Sequence, residues 1–157
     1  MKASRWLLMA TLAALVVGMM ALAGTAWAVP DGIPPTVVGT VPQDDATGVA
    51  LDAKIRVKFS EPMRDRSINP TNIYITVVDG TETRVVPATV DYVDEIIPVR
   101  AVLKPTEPLA PNTEYTVTVE GRGDGDMKAV RDASGTPLAT DFTFSFTTGT
   151  SCATCPP

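Results

Sequence analysis

A chain of 157 residues without a single histidine lacks the means for a Ser-His-Asp or Cys-His catalytic group, for a histidine-ligated metal, and for covalent haem, whose Cys-x-x-Cys motif must be followed by histidine. Its 18 acidic against 13 basic residues, a formal net charge of −5, argue against nucleic acid or an anionic membrane surface as partner. Phosphate binding needs clustered Lys and Arg, and no basic stripe is visible along the chain.

Residues 1–28 stand apart. Lys2 and Arg5 precede an apolar run from Trp6 to Gly24, and Ala26-Trp27-Ala28 then places small residues at the two positions a signal peptidase reads. The segment is read as a signal peptide cleaved after Ala28. The run is also about long enough to cross a bilayer, but the Ala-x-Ala site and the Val-Pro-Asp-Gly that follows favour cleavage. No cysteine lies near the site to carry a lipid. Residues 29–157 keep all 18 acids and 11 of the bases, a net charge of −7, with all 14 prolines and neither tryptophan. This is one acidic, proline-rich domain, large enough for a single core, with no membrane span in the mature chain.

Residues 29–33 read as a linker, and the domain as 34–149. Within it, short alternating runs are separated by Pro, Gly, Asn and Asp. Residues 35–42 (PTVVGTVP) predict a first strand, stopped by Pro42. Asp44-Asp45, before Thr47-Gly48, reads as a solvated turn. In 54–59 (KIRVKF), Ile55, Val57 and Phe59 fall on one face and Lys54, Arg56 and Lys58 on the other, the period of a half-buried strand. Residues 60–68 (SEPMRDRSI) predict a single helical turn. Residues 72–92 read as a hairpin reversed at Asp79-Gly80, with Pro87 placing its second arm at a sheet edge or a bulge. A further strand covers 99–105. Residues 114–120 turn Tyr115, Val117 and Val119 inward, and 141–148 turn Phe142, Phe144 and Phe146 inward. Four of the seven aromatic residues beyond Ala28 lie on these last two strands, which places them at the centre of the core. The sum is about seven short strands at the turn spacing of an all-β, antiparallel sandwich.

Three stretches in this order resemble a known family: VPQDDATGVALDAKIRVKFSEPM (41–63), LKPTEPLAPNTEYTVTV (103–119) and VRDASGTPLATDFTFSFTTG (130–149). Together they are similar to the bacterial Ig-like domain of S-layer (SbsA) type, over roughly residues 34–149. Gly135-Thr136 stands where that family tends to have Gly-Asn, and 121–129 is a longer insertion than usual. The resemblance implies an Ig-like sandwich used as a spacer or stalk in exported bacterial proteins. Fibronectin type III is the nearest alternative, because LAPNTEYTVTV also looks like its tyrosine corner.

No catalytic residues present themselves. In Phe59-Ser60-Glu61-Pro62-Met63, Pro62 ends the strand, Met63 plugs the end of the core, and Ser60 or Glu61 satisfies a turn; a carboxylate pair of Glu61 with Asp65 is the rival reading. The Tyr115 hydroxyl is expected to bond a backbone group a few residues upstream. Asp124, Asp126 and Asp132 are candidate Ca²⁺ ligands, although a calcium site wants six to eight oxygens. Arg122-Gly123-Asp124 is the tripeptide integrins recognise, but three residues recur by chance, and glycine at 121, 123 and 125 suits a surface loop on its own account. Tyr74 and Tyr92 are the rings left over for a glycan.

The 150–157 tail holds Cys152 and Cys155. An intrachain disulfide, a disulfide to another envelope protein, a thiol oxidoreductase and a zinc ion shared by two chains all remain open. The leading function is an exported, non-enzymatic envelope module, in the periplasm, at the cell surface or outside the cell. It would meet other envelope or surface proteins, or a cell-wall polymer, and need no cofactor. A small thiol-redox or metal protein and a calcium- or glycan-binding module are the alternatives.

Overall fold

In the strand at Ile55–Phe59 the alternation of the sequence becomes an alternation of burial: Ile55, Val57 and Phe59 are completely covered, while Arg56 and Lys58 are half-buried on the other side. The computed structural model describes residues 32–95, 97–122 and 128–153. The predicted cleavage site, Gly123, Asp124, Asp126 and Cys155 lie outside them.

The described strands are β1 (Val37–Val41), β2 (Ala46–Val49), β3 (Ile55–Phe59), β4 (Ile73–Asp79), β5 (Glu82–Val86), β6 (Ala88–Val93), β7 (Arg100–Pro105), β8 (Glu114–Val119) and β9 (Phe142–Thr148). They form a four-stranded sheet in the order β1-β3-β7-β6 and a five-stranded sheet in the order β2-β9-β8-β4-β5. The inner faces meet in one core of Ile55, Val57 and Phe59, Ala101 and Leu103 from one sheet, and Ile73, Ile75, Val117, Val119, Phe144 and Phe146 from the other. Tyr115 stacks on Phe146 with ring centroids 5.8 Å apart. Phe142, at the margin, is only partly buried.

Nine strands replace the expected seven or so, for two reasons. Residues 72–92 begin as the expected hairpin, β4 against β5, with β5 at the sheet edge. Pro87 has no N–H to extend that ladder, and the chain crosses there to the other sheet, where β6 pairs with β7. The Pro87 carbonyl accepts the Thr106 amide at 3.0 Å on the way. The second extra strand is β2, four residues of irregular register that pair parallel to β9, so the sandwich is not wholly antiparallel. Asp44-Asp45 is more than a solvated turn: Asp44 Oδ1 accepts the Ser145 amide at 2.9 Å, and the Asp45 amide reaches the Ser145 carbonyl at 2.9 Å. These bonds start β2 alongside β9.

Residues 149–153 stay bonded to the sandwich. The Gly149 amide donates to the Val49 carbonyl (2.8 Å), the Leu51 amide to the Ser151 carbonyl (3.2 Å), and the Ala153 amide to Asp52 Oδ1 (2.7 Å). A Cβ on Gly149 would stand 3.3 Å from the Gly48 backbone, so this close approach favours glycine. The expected single turn after β3 is a 3-10 turn at Asp65–Ser67.

Phe146 is 1 % exposed, and truncating a core aromatic costs about 3–5 kcal/mol. Phe146→Ala is therefore expected to lower the unfolding free energy by that amount in a urea titration. Val85→Thr, on the exposed side of β5, is expected to stay within about 0.5 kcal/mol of wild type.

Candidate functional site

The motifs that the sequence singles out converge on the ends of the sandwich, where their polar groups organise loops. Ser60 Oγ accepts the Thr36 amide at 3.0 Å and the Ser60 amide donates to the Thr36 carbonyl at 2.9 Å, which ties the end of β3 to the start of β1. The Pro62 carbonyl accepts the Ala133 amide at 3.0 Å. Met63 is buried in the core, its amide donating to Tyr92 Oη at 2.8 Å. Asp65 opens the 3-10 turn, and Glu61 sits half-buried before it. Ser67 Oγ then clamps this crossing segment to the 130s loop, donating to the Arg64 carbonyl (2.7 Å) and accepting the Arg131 amide (3.1 Å).

Asp132 is the centre of that loop. It is 1 % exposed and bridges to Met63. Its Oδ1 accepts Ser134 Oγ (2.7 Å) and the amides of Gly135 (2.6 Å) and Thr136 (2.7 Å). Burial, the largest single influence, pushes its carboxyl up; the hydrogen bonds from Ser134, Thr136 and Gly135 together outweigh it and hold the group below the usual carboxylate range. Of the three candidate calcium ligands this is the described one, and one of its oxygens is already occupied by three donors. Among the described residues no group of three or more His, Cys, Asp or Glu stands together as a metal site.

Tyr115 does what its motif predicts: its Oη accepts the Ala110 amide at 2.8 Å, five residues upstream. Thr148 Oγ1 reinforces the corner, donating to the Ala110 carbonyl at 2.6 Å and accepting the Thr113 amide at 2.9 Å. Neither leftover ring is a free surface platform. Tyr74 Oη donates to Glu120 Oε1 at 2.7 Å, a bond that, with burial, raises its pKa. Tyr92 packs against the core; burial raises its pKa against the opposing pull of the Met63 amide. Cys152 is half-buried and not free, held between the bonds of Ser151 and Ala153.

One feature escaped the linear reading. The β3–β7 register places Lys58 opposite Arg100 and Arg56 opposite Val102, so bases separated by more than 40 residues share the outer face of the four-stranded sheet. A basic stripe does exist. The outward Lys-x-Arg-x-Lys of 54–58 was its visible half.

Two face-packed sheets, a tyrosine corner and a chain that crosses between the sheets at Pro87 define an immunoglobulin-like sandwich. More narrowly, the chain belongs to the bacterial Ig-like domain family, whose model matches residues 31–148. Among solved structures it is similar to PcoC, a methionine-rich copper resistance protein from Escherichia coli, at 23% identity over 74% of this chain and 99% of that one, TM-score 0.54. It is also similar to CopC from Methylosinus trichosporium OB3b, at 16% identity over 73% and 93%, TM-score 0.51. The N-terminal part of the bacterial S-layer protein SbsC aligns at 20% identity over 74% of this chain and 24% of that one, TM-score 0.51. At these identities the likeness is one of fold. No curated protein matches the sequence.

Replacing Asp132 by Asn removes a charge-assisted acceptor and is expected to cost about 1.5–3 kcal/mol at neutral pH. A carboxyl lowered by folding contributes stability above its unfolded pKa, and that contribution is lost as pH falls through the folded one. Wild type should therefore lose stability below about pH 5 more steeply than Asp132→Asn, read from urea midpoints across the acid range. Tyr115→Phe leaves the Ala110 amide without its acceptor and is expected to cost about 1–3 kcal/mol by the same titration.

Proposed function

We propose that the chain is an exported, non-enzymatic module of the bacterial envelope, acting as a spacer, adhesion or assembly unit. The observation that carries this reading is the use of its polar groups: Ser60, Ser67, Tyr92, Tyr115, Asp132 and Thr148 all bind backbone at the ends of a filled core. The family supports it, as does the likeness to the S-layer protein SbsC, and the reading includes the S-layer (SbsA) type that the motifs resemble. A signal peptide cleaved after Ala28 supplies export. No described helix is long and apolar enough to cross a membrane.

The oxidising compartment reached by export favours a Cys152–Cys155 disulfide. Closing so small a loop is worth roughly 2 kcal/mol in the chain-entropy model, and the bonds to Val49 and Asp52 tie the tail to the end of β2 and the residues after it. Copper, which the name of PcoC invokes, would find no imidazole here. Copper sites draw on imidazole, thiolate and thioether; this chain has no histidine, Met63 is 4 % exposed within the core, and Cys152, the described cysteine, is not free.

The test is expression in a bacterium with a tag just after Ala28, followed by fractionation, thiol titration and in-cell crosslinking. Processed protein outside the cytoplasm, without titratable thiols and crosslinked to envelope components, is the expected result. Unprocessed cytoplasmic protein overturns the reading. Two reactive thiols, or one zinc shared by two chains, would instead favour a thiol or metal protein.

A further inference from the structure

The outer face of the four-stranded sheet carries an excess of positive charge. Lys54 and the outward residues of β3 and β7 bring Arg56, Lys58, Arg100 and Lys104 to it, five of the 11 bases beyond Ala28. Among the residues of its four strands the acid is Asp91, which is ion-paired to Lys104. Asp52 and Glu107 border the Lys54–Lys104 end, and Asp94 and Glu95 follow β6 at the other. Among the described residues Arg56, Lys58 and Arg100 are in no ion pair, and the Nε of Arg100 is buried without a hydrogen-bond partner. The Lys58 side chain runs across Gly39, its Cδ lying 3.8 Å from where a glycine Cβ would be. Val102 faces the same way yet is 9 % exposed, so long neighbouring stems cover it.

This arrangement costs the isolated fold something. Like charges directly opposite each other across a sheet are destabilising, and Lys58 and Arg100 are such a pair. An external anion removes the cost. We propose that this face binds a linear polyanion of the envelope, a polymer whose phosphate or carboxylate groups recur along its length. Lys54, just before β3, and Arg56 and Lys58 on it alternate along the chain, so in extended backbone their charges recur every 6.6 Å or so, at about 3.3 Å per residue. Arg100 and Lys104 line the neighbouring strand about 4.8 Å away. The polymer lies along β3, with Arg56 and Arg100 presenting forks suited to oxyanions. No aromatic side chain stands on this face of the four strands to stack a base, which sets it apart from single-stranded nucleic-acid binders. The rest of the chain is strongly acidic, so a polyanion is attracted to one face and repelled by the others, and the module docks in one orientation.

The inference names a partner class for the envelope module proposed above, and its test is independent of export. Purified residues 29–157 are passed over immobilised poly(glycerol phosphate), with polygalacturonate as the carboxylate arm and dextran as the uncharged control. Retention on either polyanion, weakening with salt, is expected, and the arm that retains identifies the anion. Arg56→Gln/Lys58→Gln should lower affinity at least about tenfold at low salt and reduce the salt slope by roughly one per charge removed. The same variant should melt no lower than wild type, because it relieves the like-charge contact; lost binding then cannot be ascribed to misfolding. Arg84→Gln, on β5 of the other sheet, should bind as wild type. Absence of retention, retention unchanged in the double variant, or self-association that the double variant abolishes while neither polymer binds, overturns the proposal. Failure here would leave export and processing untouched, and failure of export would leave the polymer measurement untouched.

Discussion

The pairing of β3 with β7 is the constraint on which both faces of the molecule depend. Val57 lies opposite Ala101 and Ile55 opposite Leu103, all four completely buried. A one-residue slip of either strand would carry its own inward pair to solvent, so the core holds this register firmly. The pleat then leaves no freedom outside: once Val57 meets Ala101, Lys58 must meet Arg100. The basic face is the reverse side of the hydrophobic core.

The same economy governs the ends. A sandwich has to satisfy the backbone groups of its crossing loops, because buried polar groups left unpaired are costly. Here side chains supply those partners: Tyr115 for the corner before β8, Ser67 and Asp132 for the crossing beside β4, and Ser60 for the β1–β3 end. Groups committed in this way hold the loops in place and are not available for acid–base chemistry. Asp132 illustrates the point, since the bonds that depress its pKa are the ones that fix the Ser134–Thr136 turn. Gly121 adds a steric constraint, for a Cβ there would meet the Thr140 backbone at 2.2 Å.

Strands with a strict period of two were legible from the residues alone. β3, β8 and β9 appear where the alternation places them, with Phe142 less buried than Phe144 and Phe146 because it lies at the margin. The tyrosine corner was equally legible, since its partner lies five residues away and the motif is local. β2 was not: four residues with an interrupted register carry no periodic signal, and its pairing with β9 joins segments about a hundred residues apart. The split at Pro87 was half legible. Proline announces an end to the ladder, but not that the chain will change sheets. Tyr74 and Tyr92 looked free because nothing local shows that Glu120 and the Met63 amide will meet them.

By itself the sequence determined the fold class, the inward faces of the main strands and the absence of histidine chemistry, because these follow from composition and from periods shorter than one strand. Tertiary structure alone decided which outward residues became neighbours. Arg56 and Lys58 sit on one strand with Lys54 just before it, Arg100 and Lys104 sit on another, and averaged along an acidic chain they disappear. Cross-strand register sets Lys58 opposite Arg100 and brings the two sets to one face, and charge acts through distance in space, which position in the chain does not record.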